Sequence, residues 1–166
     1  APGPRYVQVR ITALPAFTST PLWIATNASL TGMRQCTTST APSVIIARAA
    51  DYTAFLGSSA RNAAELGPVV ITWAAMNDSQ LATVLAGRRT LGSLVVEGVA
   101  EITSINCSAT LIRASLIVDN NPSLRTVQLP MLQELGSALI ITRSNRITQT
   151  AFDSLVTVNG SFTMEL

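Results

Sequence analysis

Few residues in this chain could carry out catalysis. The 166-residue sequence contains no histidine, and its 11 basic residues are all arginine. The absence of His and Lys excludes an imidazole base, a histidine metal ligand, a P-loop lysine and a Schiff base. What remains are nine carboxylates, two cysteines, hydroxyl groups and guanidinium groups.

Three of the carboxylates come at the ends of apolar runs. Glu97, Asp119 and Glu165 follow such runs directly, and on adjacent strands two of them would lie near the separation used by glycosidases. A hydrolase or lyase site also needs a groove with several polar partners, whereas aliphatic residues dominate around these acids. We therefore expect solvated acids, a non-enzymatic protein and no cofactor or metal ion.

The two cysteines leave alternatives open. Cys107 lies five residues after Ile102, the offset at which Leu129 and Phe152 recur later, so it occupies an apolar core position. Cys36 lies three repeats earlier, about 14 Å away along a stack of strands, and a disulfide needs Cα atoms within about 7 Å. Two buried thiols are the favoured interpretation, ahead of a bridge and of a redox or catalytic thiol.

The composition favours a protein whose repeats bury each other. Hydrophobic residues make up 48%, charged residues 12%, and the mean hydropathy is +0.38. The longest apolar run, residues 69–76, is far shorter than the roughly 18–20 residues of a membrane helix. The arginines are scattered, with Arg88-Arg89 the single adjacent pair, which is typical of solvated surface and not of a nucleic-acid interface.

A repeat organises the C-terminal half. Apolar residues follow Leu116 at offsets of eight, thirteen and sixteen, and the same offsets recur after Leu139. Extended backwards, this register gives strand starts at steps of 22, 26, 24, 22, 23 and 23 residues, at Leu22, Val44, Val70, Leu94, Leu116, Leu139 and Phe162. Steps of this length are typical of leucine-rich and β-solenoid coils.

The repeat predicts the architecture. We expect a β-rich solenoid of right-handed, leucine-rich-repeat-like or β-helix coils with one parallel sheet. Residues 1–21 would form an N-terminal strand and linker, and residues 22–166 about seven coils that continue beyond residue 166. The chain ends within a predicted strand without a polar cap and starts without a signal-peptide pattern, so we expect a processed or partial chain.

Helices are expected only in the N-terminal coils. Short helices are predicted over residues 50–56, 58–66 and 78–86, the second and third with Ser or Asp at the start and Gly at the end. Beyond Leu94, Pro122 and Pro130 favour extended or turn structure. In the strands, Leu116 and Val118 should point inward and Ile117 outward.

This pattern resembles a known family. The strands separated by "NPSLRTVQLPMLQELG" and "RITQTAFDSLVTVNG" are similar to the receptor L domain, a leucine-rich-repeat-like right-handed β-helix of insulin- and EGF-receptor ectodomains and fungal wall proteins. The resemblance covers roughly residues 91–166. It implies an extracellular module whose sheet face can receive a ligand.

Four N-x-S/T sequons fall in the predicted connecting segments, at Asn27, Asn77, Asn106 and Asn159. Sequons arise by chance in a chain so rich in Ser and Thr, but four in such positions favour N-linked glycans on an extracellular or cell-surface protein.

The predicted outward face of the sheet is the candidate binding surface. Its residues form an apolar row with a second, partly acidic column beside it: Trp23, Ile45, Ile71, Val95, Ile117, Ile140 and Thr163 in the row, and Glu97, Asp119, Thr142 and Glu165 in the column. β-Propensity alone would also place branched residues there. An uninterrupted apolar row nonetheless favours contact with a protein partner. The alternative is a structural subunit of a surface filament, wall or matrix, in which neighbouring copies stack.

Overall fold

The computed structural model describes residues 6–9, 22–25 and 41–166. The chain divides into two compact units, Ala1–Thr40 and Ala41–Leu166. In the first unit, strands β1 (Tyr6–Val9) and β2 (Leu22–Ala25) pair in antiparallel fashion as a two-stranded sheet. Both segments were predicted as strands, but the assignment of Leu22–Ala25 to the parallel sheet is wrong, since β1 is its partner.

The second unit begins with mixed structure and continues as short strands. Its first elements are strand β3 (Val44–Ile46), helix α1 (Ala49–Leu56), a 3-10 turn (Ser59–Asn62), strand β4 (Glu65–Ile71), helix α2 (Asp78–Leu85) and strand β5 (Thr90–Glu97). Nine strands follow: β6 (Ser104–Asn106), β7 (Leu111–Ile112), β8 (Leu116–Asp119), β9 (Thr126–Gln128), β10 (Glu134–Leu135), β11 (Leu139–Thr142), β12 (Gln149–Ala151), β13 (Thr157–Val158) and β14 (Phe162–Met164).

Of the twelve strands of the second unit, nine form one sheet, and every described pairing in this sheet is parallel. Strands β3, β4, β5, β8, β11 and β14 pair in that order and are called the front strip. The first residues of β5 pair with β7, which pairs with β10, which in turn pairs with β13. These three strands and the first residues of β4 and β5 are called the lateral strip. The long strands β4 and β5 belong to both strips.

A separate three-stranded sheet runs in the order β12–β9–β6, also in parallel. Helix α2 lies beside β6 in place of a further strand. The Asp78 carboxylate joins the two, because it accepts hydrogen bonds from the backbone N–H of Thr103 at 2.7 Å and of Ser104 at 3.1 Å. These donors would otherwise be unpaired at the edge of the sheet.

The core is built from columns of equivalent residues in successive strands. In the front strip, Leu94, Leu116 and Leu139 lie in register and are fully buried. A second column in the lateral strip runs through Leu66, Leu91, Ile112 and Leu135, and Ile105 and Val127 face inward from the three-stranded sheet. Burying one such side chain contributes roughly 1.5–3 kcal/mol relative to leaving it exposed.

The inward positions predicted for Leu116 and Val118 are confirmed. Val118 and Ile141 are fully buried with the leucines of the front strip, and Leu124, Leu129 and Leu132 are also fully buried. Phe162 pairs with Leu139 in the predicted column but remains 60% exposed, since it lies on the last described strand of the strip.

Two of the three predicted helices are confirmed, namely α1 and α2. The helix predicted over residues 58–66 is wrong: after the 3-10 turn, Leu66 and Gly67 belong to β4. Pairing of Glu65–Ile71 with β3 and β5 outweighs the local helix signal. The chain is therefore β-rich, with a mostly parallel sheet and short helices only before β5, and no helix in its described part has the length and apolarity to cross a membrane.

Candidate functional site

The outer face of the front strip carries an aliphatic row, defined here as Ile45, Val70, Val95, Ile117, Ile140 and Thr163. Register pairs each member with the next along the sheet. Ile45 is 62% exposed, and the others are half-buried. Strand alternation explains the row, because each member from Ile45 to Ile140 stands between two buried residues.

One predicted member of this row is wrong. Ile71 is fully buried and pairs with Ile46 and Val96, so it points into the core, and Val70 takes the outward position. The predicted strand start at Val70 was one residue late, and a one-residue shift exchanges the two faces of a strand. Ile45, Val95, Ile117, Ile140 and Thr163 lie where the sequence predicts. Trp23 lies in β2, which belongs to the first unit.

Glu97, Asp119 and Thr142 form the acidic column, one step further along the same strands and in mutual register. The Asp119 carboxylate accepts a hydrogen bond from the Thr142 hydroxyl at 2.9 Å and from Arg143 Nε at 2.8 Å, and Arg143 Nη2 binds its second oxygen. Hydrogen bonding to Arg143, supported by Thr142, holds the pKa of Asp119 below its usual range.

The hydrogen bonds of Asp119 decide whether the acidic column could act as a catalytic acid. Asp119 stays ionised and is engaged on both oxygens, so it is poorly suited to donate a proton as a glycosidase acid does. Glu97 and Glu165 are exposed at the surface, as expected of solvated acids. Because Asp119 is paired with Arg143, Glu97 is the acid of the column that leaves a negative charge beside the aliphatic row.

The strands of the column end in a repeated backbone turn. Gly98, Asn120 and Arg143 follow the paired residues Glu97, Asp119 and Thr142, and all three have positive φ, at 67°, 54° and 50°. This left-handed conformation is unfavourable for a residue with a Cβ. Arg143 is the residue of this turn that also forms an ion pair with Asp119.

Sequence reasoning missed a buried polar pair just beyond this turn. Asn121 is fully buried, and its side chain accepts the Val99 N–H at 3.0 Å and donates to the Val96 carbonyl at 2.9 Å. The Ser144 hydroxyl in turn accepts the Asn121 N–H at 3.1 Å. The spacing of 23 residues between Asn121 and Ser144 matches the repeat and was the available signal.

The prediction that Arg88 is a solvated arginine is also wrong. Arg88 is 1% exposed, and its guanidinium donates to the carbonyls of Val84, Ala60 and Ala63 and, at 3.0 Å, of Arg61. It also lies 5.8 Å from the centre of the Phe55 ring. Arg88 thus ties the end of α2 to the 3-10 turn, a structural role that its neighbour Arg89, which is exposed, does not share.

Cys107 is a buried free thiol, as the core assignment predicts. Burial raises the pKa of the thiol, which suppresses the reactive thiolate. Cys36 lies outside the described residues.

The sequon asparagines within the described residues are all exposed, at Asn77, Asn106 and Asn159. Asn77 precedes α2, Asn159 follows β13, and Asn106 is the last residue of β6 rather than part of a connecting segment. Asn27 lies outside the described residues.

Small-molecule and metal sites find little support in the described ranges. A cavity of about 210 Å³ lies between β3 and α1, below the usual size of a ligand pocket, and its Asp51 already binds Arg48 at 3.1 Å. Within residues 6–9, 22–25 and 41–166, no group of three or more His, Cys, Asp or Glu side chains could hold a metal ion.

Comparison with protein-family models, with curated proteins and with solved structures gives no match for this chain. The arrangement of the described residues therefore carries the functional argument by itself.

Proposed function

We propose that this protein is a non-catalytic, extracellular or cell-surface interaction module that binds a protein partner through the outer face of its front strip. The single observation that carries the proposal is the aliphatic row. It runs from Ile45 to Ile140 over five paired strands without a charged residue.

This face leaves its aliphatic side chains partly exposed to water. Backbone N–H and C=O groups of the inner strands are already paired within the sheet, so the face offers side chains only. Neighbouring members of the row lie about 4.8 Å apart, and a partner that covers them removes a continuous apolar strip from water. The partner that fits is a protein surface with an apolar ridge.

The acidic column beside the row adds orientation. Glu97 is exposed, whereas Asp119 is neutralised locally by Arg143. A basic side chain on the partner would meet Glu97 at one edge of the ridge, and such rim charges affect encounter and register more than affinity.

We also propose the finer fold assignment, a right-handed solenoid of the receptor L domain type. Its support is that equivalent residues pair at intervals near the predicted repeat, as with Asp119 and Thr142, 23 residues apart. Parallel strands joined by crossovers are right-handed in about 98% of cases.

The test is site-specific photo-crosslinking in the cells that produce the protein. A photoreactive amino acid replaces Ile117 in one variant and Thr126 in the matched control. Both residues are half-buried strand positions, Ile117 on the front strip and Thr126 on the three-stranded sheet.

The expected result is one defined protein adduct at position 117 and none at position 126. Absence of an adduct at position 117, or the same adducts at both positions, would contradict the proposal. An adduct of the chain with itself at position 117 would replace the proposal with the structural alternative of stacked copies.

A further inference from the structure

Asn77 and Asn106 lie on one flank of the second unit, formed by α2 and the three-stranded sheet. Asn77 immediately precedes α2, and Asn106 ends β6. Asp78 connects these two elements through its hydrogen bonds to Thr103 and Ser104. Neither α2 nor β6 contributes a strand to the front strip.

Of the two polar atoms of the Asn77 side chain, only Oδ1 forms a hydrogen bond among the described residues. Its Oδ1 accepts the Gln80 N–H at 3.0 Å, and Gln80 Oε1 accepts the Asn77 N–H at 3.0 Å. This reciprocal capping box starts the helix. Among the described residues, Asn77 Nδ2 makes no hydrogen bond, so a group attached there leaves the cap intact.

Asn106 is presented outward by strand alternation. Its neighbours Ile105 and Cys107 are buried, while Asn106 and Ser108 are exposed. Both residues that define the sequon are therefore accessible from solvent. Ser79, the hydroxyl residue of the Asn77 sequon, is likewise exposed.

We propose that Asn77 and Asn106 carry N-linked oligosaccharides. The donor is an oligosaccharide linked through a diphosphate to a polyisoprenoid lipid. The amide Nδ2 forms a bond to the anomeric carbon of the first sugar, the bond between that carbon and the phosphate oxygen breaks, the lipid diphosphate leaves, and Nδ2 loses one proton. No oxidation or reduction is involved.

Asn77 and Asn106 both lie outside the front strip. Sugars on both asparagines cover the flank of α2 and the three-stranded sheet and leave the aliphatic row free. The modification stands without the proposed partner binding, because it rests on the sequons and their exposure.

The experiment is mass spectrometry of the protein isolated from the cells that produce it. Release of the glycans by an amidase in heavy-oxygen water converts each glycosylated asparagine into a labelled aspartate. Labelled aspartate is expected at positions 77 and 106. Asn121, which is followed by Pro122 and Ser123 and is fully buried, is the internal negative control.

Two matched variants separate the glycan from the fold. Ser79→Ala and Ser108→Ala remove each sequon but keep the asparagine, and each is expected to lose one oligosaccharide mass while the thermal unfolding midpoint of the deglycosylated protein stays unchanged. Asn77→Asp retains an acceptor for the cap and should behave like Ser79→Ala. Recovery of either asparagine entirely unmodified from the native protein would overturn the proposal.

Discussion

Arg143 binds Asp119 across two neighbouring parallel strands, with its Nε 2.8 Å from Oδ1 and its Nη2 in contact with Oδ2. The pair closes the acidic column at the turn where Arg143 itself adopts a positive φ of 50°. The Arg143 side chain thus connects the turn to which it belongs with the Asp119 carboxylate beside the aliphatic row.

This pair predicts a specific pH dependence. The folded-state pKa of Asp119 is lowered, chiefly by its hydrogen bond with Arg143, so its stabilising contribution is present above the unfolded pKa of about 3.9 and is lost as pH falls through the folded value. Asp119→Asn should therefore reduce the loss of unfolding free energy between about pH 6 and about pH 2. Urea unfolding at the two pH values measures it. Glu101→Gln, an exposed position, is the control and should leave that loss unchanged.

The buried bridge of Asn121 predicts a large effect on stability. Asn121→Ala leaves the Val99 N–H and the Val96 carbonyl without their side-chain partner, and an unsatisfied buried group costs about 1–3 kcal/mol. We expect a decrease in unfolding free energy of about 2–4 kcal/mol by urea denaturation. The exposed residue Asn145 supplies the control; if Asn145→Ala costs as much, the bridge is not a stabilising contact.

Gly136 predicts a steric effect at the corner between the lateral and front strips. A Cβ at Gly136 would lie 1.9 Å from the Arg113 carbonyl oxygen, whereas one at Gly57 would lie 3.8 Å from its nearest atom. Gly136→Ala should destabilise the protein by about 1–3 kcal/mol or more, as overpacking does, and Gly57→Ala should not. Thermal unfolding compares the two variants, and equal midpoints would refute the close approach of successive strands.

Arg88 predicts a local effect on α2. Arg88→Met removes the donors to the carbonyls of Val84, Ala60 and Ala63, so the end of α2 and the 3-10 turn should separate. Hydrogen exchange should show faster exchange of the α2 amides, while β8 and β11 keep their protection. Arg89→Met, at an exposed site, should leave both regions unaffected. Unchanged α2 protection in Arg88→Met would show that the buried guanidinium does not hold the helix.

The sequence predicted the second unit best where its repeats are regular. From Leu94 onward, steps of 22 and 23 residues predict the observed pairing of Leu94, Leu116 and Leu139. Around Val69-Val70-Ile71 the prediction failed by one residue, because a continuous apolar run has no alternation from which to choose a face. The observed register depends on pairing with Val44 and Leu94, which are distant in sequence.

The burial of Arg88 could not be predicted from the residue pattern. Arg88 and Arg89 are identical and adjacent in sequence, yet only the Arg88 side chain donates to carbonyls at the end of α2 and in the 3-10 turn. Those carbonyls come together only when the two elements pack. In the candidate site, the aliphatic row was predicted except for Val70, whereas the ion pair of Asp119 with Arg143 was not.

The most direct test of the central claim is the affinity of the partner captured at position 117 for two matched variants. Ile117→Asp places a charge in the aliphatic row, and Thr126→Asp places the same charge on the three-stranded sheet. Surface plasmon resonance should show Kd increased at least about tenfold for Ile117→Asp, equivalent to about 1.4 kcal/mol, with Thr126→Asp unchanged and both proteins folded by circular dichroism. Equal affinities of the two variants would contradict binding through the front strip.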